Sequence, residues 1–140
     1  MPIMKLLMFL APRFRYRPFL SSSSSAGVND VEQCVHDAAV IFVHAEEKDG
    51  DAGSKLLTKF VKNVKWIANK RGFRNIVLHS FTHLSESKSP PEFAESFLSQ
   101  ASERLSAAGY CVRLTPFGHS CEWELAVHGE PLAKVFKSLQ

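Results

Sequence analysis

Residues 38–45, AAVIFVHA, form an unbroken apolar run rich in β-branched residues, and the acidic, glycine-bearing EEKDGDAG follows it directly. A run that short, with no polar alternation, fits a central strand covered on both faces. The cover is legible downstream. From Ser54, read as an N-cap, Leu56, Leu57, Phe60, Val61, Val64, Ile67 and Ala68 recur at helical spacing up to a stop at Gly72. NIVLHSF (75–81) reads as another strand. SPPEFAESFLSQASERLSAAG reads as a second helix, with Pro90 and Pro91 in its opening turn and Gly109 just past its end. YCVRLT (110–115) returns as a strand, and upstream KLLMFLA (5–11), short, apolar and followed by proline, reads as a buried first strand.

In CEWELAV, Cys121, Trp123, Leu125 and Val127 alternate with Glu122, Glu124 and Ala126, the period of a strand with one buried face. Pro116-Phe117-Gly118 then reads as a hairpin corner, and a short helix from about Glu130 to Leu139 is expected to close the chain. The order β-β-α-β-α-β-β-α gives an α/β sandwich: a mixed sheet, antiparallel at the final hairpin, with packed helices. At 140 residues the chain fits one domain, 1–140, interrupted by a flexible serine-rich loop at about 20–29.

No apolar run approaches the roughly 20 residues of a membrane-spanning helix, so no membrane role is expected. MPIMKLLMFLAP gives way to RFRYR instead of a small-residue cleavage site, and is read as a strand, not a signal peptide. Cys34, Cys111 and Cys121 form no C-x-x-C pair, and an odd number cannot close a disulfide set. Reduced thiols and a cytoplasmic location are expected.

The chemistry-bearing residues gather late in the chain. In LHSFTHLSES, His79 sits within a strand pattern and reads as a satisfied core or edge histidine, whereas His83 lies in the loop beyond, where α/β sheets usually bind ligands. His79, His83, His119 and Cys121 could together hold zinc, but their spacing matches no compact zinc signature. A nucleophile with a histidine base is another alternative: His119 and Cys121, two apart, share one strand face, yet no orienting acid is evident. A small buried hydrophobe is the competing reading of Cys121. Ser120 would point the other way.

Charge is segregated. Residues 1–29 and 54–74 carry basic groups and no acid, and acids gather between Asp30 and Asp51. Lys55, Lys59 and Lys62 line one side of the first helix at spacings of four and three, which costs about 0.2–0.5 kcal/mol per like-charged pair. Phosphate contact would explain that cost. RFRYR places Arg13, Arg15 and Arg17 on one side of an extended segment and Phe14 and Tyr16 on the other, a combination suited to an unpaired nucleotide end. A solvated basic surface is the alternative in both places.

HSFTHLSESKSPPE, followed after a helix by GYCVRLTPFGHSCEWELAVHGEPLAKVF, resembles the N-terminal editing domain of archaeal threonyl-tRNA synthetases and, still more, its freestanding relatives. Nearly the whole chain takes part, IFVHAEE included, and F-x-HLS, PFG and HG-x-PLA are the most specific stretches. The resemblance implies the fold of D-aminoacyl-tRNA deacylases, a homodimer, and a stand-alone factor acting in trans, with tRNA and threonyl-tRNA synthetase as partners. It implies hydrolysis of serine mischarged onto threonine tRNA in a pocket lined largely by main-chain groups, with water as nucleophile and no metal or other cofactor. A second sieve is physically sensible, because one methyl changes binding by only about 1–3 kcal/mol.

Carried over by position, Ala45 and Glu46 would form the pocket wall after the second strand and Thr82-His83 the loop after the third. Phe117 and Gly118 would offer main-chain groups to the adenosine and the ester, and the 119–121 strand the far wall. The family's water-positioning lysine is here Cys121, two aromatic residues are His119 and Ser120, and the acidic residue of the terminal segment is Lys134. The polar end of the family's first strand is replaced by Leu10, Ala11 and Pro12. The resemblance thus assigns catalysis to His83, His119 and Cys121, and substrate contact to Ala45, Glu46, Thr82, Phe117, Gly118, Ser120 and Lys134. The basic residues Arg13, Arg15, Lys55, Lys59 and Lys62 are assigned to RNA. The alternative is a non-catalytic tRNA- or synthetase-binding module that keeps the fold without the chemistry.

Overall fold

In the computed structural model, which describes residues 4–19 and 32–139, a single mixed sheet runs β4-β3-β2-β1-β5, with β6 also paired to β1. Its strands are β1 (Lys5–Pro18), β2 (Gln33–His44), β3 (Asn75–Ser80), β4 (Cys111–Leu114), β5 (Cys121–Ala126) and β6 (Lys134–Ser138). The helices are α1 (Ser54–Asn69) and α2 (Pro91–Ala107). β2, β3 and β4 are mutually parallel, as strands joined by helical crossovers must be, while β1 is antiparallel to β2, β5 and β6. This is the mixed α/β sandwich expected. The serine-rich segment lies outside the described residues.

The centre of the sheet, β3 and the second half of β2, is buried on both faces, as the AAVIFVHA run demands. One face packs Leu10, Ile41, Ile76 and Leu78 against the α1 stripe of Leu56, Phe60, Val64 and Ile67 and the α2 residues Phe97, Ala101 and Leu105. The other carries Phe14, Tyr16, Val40, Phe42 and Val77. There the Trp123 ring of β5 meets the Phe42 ring of β2 edge to face at 5.3 Å, although β1 separates the two strands, so the sheet curls around this aromatic cluster.

β1 is long because it serves two partners. Residues 5–9 pair with β6 and residues 13–18 with β5. Between them Pro12, lacking an N–H, has no partner in the β2 ladder, and the residue it faces, Asp37, takes a left-handed φ of 50°.

Four local expectations are corrected. Pro116-Phe117-Gly118 is not a hairpin corner: β4 is at one edge of the sheet, and β5 pairs instead with the second half of β1, Pro18 opposite Cys121. The terminal helix is a 3-10 turn at Pro131–Ala133 followed by β6, because the edge of β1 at Lys5–Phe9 is open to a strand and pairing overrides helical propensity. Ser54 is the first helical residue, not the cap; Gly53, at φ 64°, precedes the helix and no side chain caps it. His119 and Ser120 precede β5 instead of belonging to it, since the Ser120 carbonyl is taken by the Phe19 N–H at 2.7 Å, just past the end of β1.

Candidate active site

At the C-terminal end of β3 the chain leaves the sheet through Phe81-Thr82-His83, and at the end of β4 through Thr115-Pro116-Phe117. Between these two exits lies a cleft of about 430 Å³. Its floor includes Ala45, just past β2, and His79; Pro91 and Ala94 of α2 close one side. Topology explains the place. β2, β3 and β4 end at one edge, and the loops leaving them must converge there.

The structure brings most of the sequence-derived set together. Ala45, Thr82, His83, Phe117, Gly118, His119, Ser120 and Cys121 all line the cleft. Ser120, expected to face away as a strand residue, is included because it sits in the loop before β5. His83 is exposed, its ring edge to face on Phe81 at 5.0 Å. Cys121 is half-buried, and burial pushes its thiol pKa up. It is therefore a thiol at neutral pH, not the thiolate that a cysteine nucleophile requires.

Glu46 lies behind the cleft instead of in its lining. It is fully buried, and one carboxylate oxygen accepts hydrogen bonds from the hydroxyls of Ser85 (3.0 Å) and Ser87 (2.6 Å) while the other pairs with the Lys5 ammonium at 3.1 Å. Burial alone would raise its pKa, but the hydrogen bonds from Ser87, Ser85 and Lys5, with the Lys5 charge, together hold it below the usual carboxylate range. The neighbouring Asp49 accepts the main-chain N–H groups of Glu46 (2.7 Å) and Met4 (3.1 Å).

His79 is the cleft residue that the sequence pattern left in the core. It is buried, and its Nδ1 lies 2.8 Å from the Thr115 hydroxyl, so the satisfied-histidine reading describes it well; yet it is also part of the cleft floor. Desolvation lowers its pKa to about 4, which keeps the ring neutral at physiological pH. Lys88 and Trp123 also line the cleft, outside the set that the sequence marks. Lys88 follows a serine-rich stretch with no periodicity to flag it. Trp123, on the face that the alternation marks as buried, is 41% exposed and borders the cleft.

The segment from 115 to 121 has few ties. Thr115 N–H donates to the Leu78 carbonyl (3.2 Å), and Ser120 accepts from Phe19. Among the described residues no backbone hydrogen bond holds Phe117 or Gly118, and Gly118 turns through a φ of 80° that glycine adopts without strain. Main-chain N–H groups without an internal partner, on a segment that lines a cleft, are natural partners for a carbonyl oxygen or an oxyanion.

The remaining residues are spread over other surfaces. Lys134 is exposed on β6, opposite Phe9, and does not line the cleft. Lys55, Lys59 and Lys62 are exposed on α1. Arg13 is exposed on β1, while Arg15 is paired with Glu32 at 3.0 Å and Glu124 at 3.6 Å, acids that compete with any phosphate. Among the described residues no group of three or more His, Cys, Asp and Glu is placed to hold a metal ion, and no helix is long and apolar enough to cross a membrane.

A curled mixed sheet with two helices on one face and a loop-lined cleft at its strand ends defines a small α/β domain built to hold a ligand by its loops. Comparison with known proteins gives the particular kind: residues 4–139 match the model of the archaea-specific editing domain of threonyl-tRNA synthetase, and the chain belongs to that family. It is 29% identical over 143 residues to a threonine–tRNA ligase of Hyperthermus butylicus, a match covering 98% of this chain and 23% of the ligase. A threonine–tRNA ligase of Methanosphaera stadtmanae is 28% identical over 138 residues, covering 97% and 22%. The chain therefore spans under a quarter of the length of these relatives. Among solved structures, the c-Myc DNA unwinding element binding protein superposes with a TM-score of 0.70 over 97% of this chain and 99% of its own, at 12% identity, a likeness of fold.

Proposed function

We propose that this domain hydrolyses the ester of serine mischarged onto threonine tRNA. The observation that carries the reading is that Phe117 and Gly118, with no backbone hydrogen bond of their own among the described residues, line a cleft together with His83 and His119, in a chain of the editing-domain family. In this proposal water attacks the ester carbonyl, its oxygen bonding to the carbonyl carbon, and the charge that develops on the carbonyl oxygen is met by the 117–118 main chain. The carbon–oxygen bond to the terminal ribose then breaks, a proton passes to the leaving ribose oxygen, and free serine and intact tRNA result. His83 and His119 orient the water and carry the proton, and the ribose's own neighbouring hydroxyl assists. Cys121, a protonated thiol, shapes the wall and is not the nucleophile.

Ala45 and Thr82 border the amino-acid side of the cleft and exclude the extra methyl of threonine; Ser120 contributes polar contact. Lys55, Lys59 and Lys62 on α1, with Arg13, follow the tRNA backbone. Lys134, exposed on β6, contacts tRNA instead of the amino acid, and Glu46 acts from behind the cleft. The homodimer and a threonyl-tRNA synthetase partner belong to the same proposal. The mechanism is tested by measuring seryl ester hydrolysis with chelator present and again after thiol alkylation with a small reagent. Activity that persists through both supports water as nucleophile without metal or thiolate. Loss on chelation overturns the metal-free mechanism, and complete loss on alkylation that Cys121→Ala prevents only by abolishing activity itself overturns the passive role of Cys121.

A further inference from the structure

The cleft wall at 82–89 leaves no regular secondary structure to hold it, yet it is pinned along its length. Ring and main-chain geometry fix the role of each atom. His44 is fully buried at the end of β2; its Nδ1 accepts the Leu84 N–H at 3.2 Å, and its Nε2 lies 2.7 Å from the Ser87 carbonyl. A carbonyl can only accept, so Nε2 carries the proton and donates; an N–H pointing at Nδ1 requires a lone pair there. The ring is thus a neutral imidazole of one tautomer, using both nitrogens to clasp positions 84 and 87.

Glu46, two residues on, clasps the same loop by its hydroxyls, Ser85 and Ser87, and is itself held by Lys5 of β1. The Ser87 hydroxyl in turn accepts the Glu47 N–H at 3.0 Å, and the Ser89 N–H reaches the Ala45 carbonyl at 3.0 Å. Lys88, the cleft's ammonium group, sits between two residues that are both tied down. Two fully buried polar side chains, His44 at the end of β2 and Glu46 just past it, therefore converge on one irregular segment, with Lys5 of β1 backing Glu46. A hydrophobic patch would cover such a loop at less desolvation cost, but only directional bonds can fix its register.

We propose that His44 and Glu46 are positioning residues for the editing reaction: without touching substrate, they hold the wall that carries Thr82, His83 and Lys88 at the spacing the reaction needs. The inference rests on the proposed function, and it goes further by assigning two roles behind the cleft. The groups facing His44 are Glu46, whose second oxygen lies 3.7 Å from Nε2, and through Glu46 the Lys5 ammonium.

The test compares full-length wild type with His44→Gln, which keeps a donor for Ser87 but no acceptor for Leu84, with Glu46→Gln, and with Ala101→Gly, a buried α2 substitution that lowers stability far from the loop. Single-turnover hydrolysis of seryl-tRNA for threonine is followed over a range of protein concentrations, well below every melting temperature. Positioning predicts a maximal rate constant lower by about tenfold or more in both clamp variants, with the half-saturating concentration changed by less than about twofold. Ala101→Gly keeps the wild-type rate constant. Clamp variants that react as fast as Ala101→Gly, or that lose half-saturation instead of rate, overturn the positioning role. A wild type that hydrolyses nothing overturns the functional reading itself, an outcome plainly different from active clamp variants.

Discussion

The wall at 82–89 and the wall at 115–121 face each other across one cleft, and they are held by opposite means. The first is irregular in backbone but tied through fully buried His44 and Glu46. The second has a main-chain bond at each end and, in its middle, Phe117 and Gly118 with no backbone hydrogen bond among the described residues. A wall fixed by side chains keeps its shape; one with unspent main chain can give its hydrogen bonds to a ligand.

The largest expected effect comes from removing the anchor of the pinned wall. Glu46→Ala removes the buried acceptor shared by the Ser85 and Ser87 hydroxyls and one ion-pair partner of Lys5, and a loss on the order of 3 kcal/mol in unfolding free energy is expected, read by urea denaturation. Cys121→Ala on the opposite wall should cost about 1 kcal/mol or less, because the site is only half-buried. Equal losses at the two positions would erase the contrast.

Acid separates the walls next. His79, which joins β3 to Thr115, has a folded pKa of about 4 against an ordinary 6.5, so between those values the unfolded chain binds the proton first and stability falls as pH falls. The window corresponds to roughly 3 kcal/mol. Glu46, held below its ordinary 4.5, contributes stability that is present above that value and is lost only as pH drops through its lower folded pKa. His79→Gln should therefore flatten the stability profile between pH 6.5 and 4, while Glu46→Gln should narrow its gap from wild type only below about pH 4.5. A His79→Gln profile as steep as wild type would contradict this assignment.

Lys88 sharpens the comparison at the level of activity. Lys88→Met should slow seryl ester hydrolysis by about tenfold through loss of the cleft's ammonium, whereas Cys121→Ala should slow it by less than about threefold. The smallest effect concerns the remote basic face: replacing Lys55, Lys59 and Lys62 together with glutamine should weaken tRNA binding and lower the salt dependence of the affinity, by about one unit of slope per lost phosphate contact, with the maximal rate unchanged.

Much of this architecture was legible in residue order. The α1 stripe from Leu56 to Ala68 and the run at 38–45 carry their own period and length, and both are where the pattern puts them. In the C-terminal third β4 and β5 read as strands and are strands, whereas the partner of β5 and the strand nature of β6 are not legible, for one physical reason: both are defined by what they pair with. β5 and β6 both exist because β1 continues to Pro18 and offers two successive edges, and nothing within PLAKVFKSL announces that partner. The cleft was legible where residues sit just past strand ends, as with Ala45, His83 and Phe117. Glu46 was put in the wall by its position after β2, but whether a side chain there faces the cleft or the loop behind depends on serines some forty residues away, Ser85 at a separation of 39 and Ser87 at 41. His79 combined a core pattern with a cleft location, two properties that periodicity cannot separate.

The central claim is tested most directly by presenting the domain with the same threonine tRNA charged either with serine or with threonine, and following release of each amino acid in single turnover beside a heat-killed control. The account predicts rapid loss of serine with threonine spared. Release of neither faster than in the control, or of both at one rate, would contradict it.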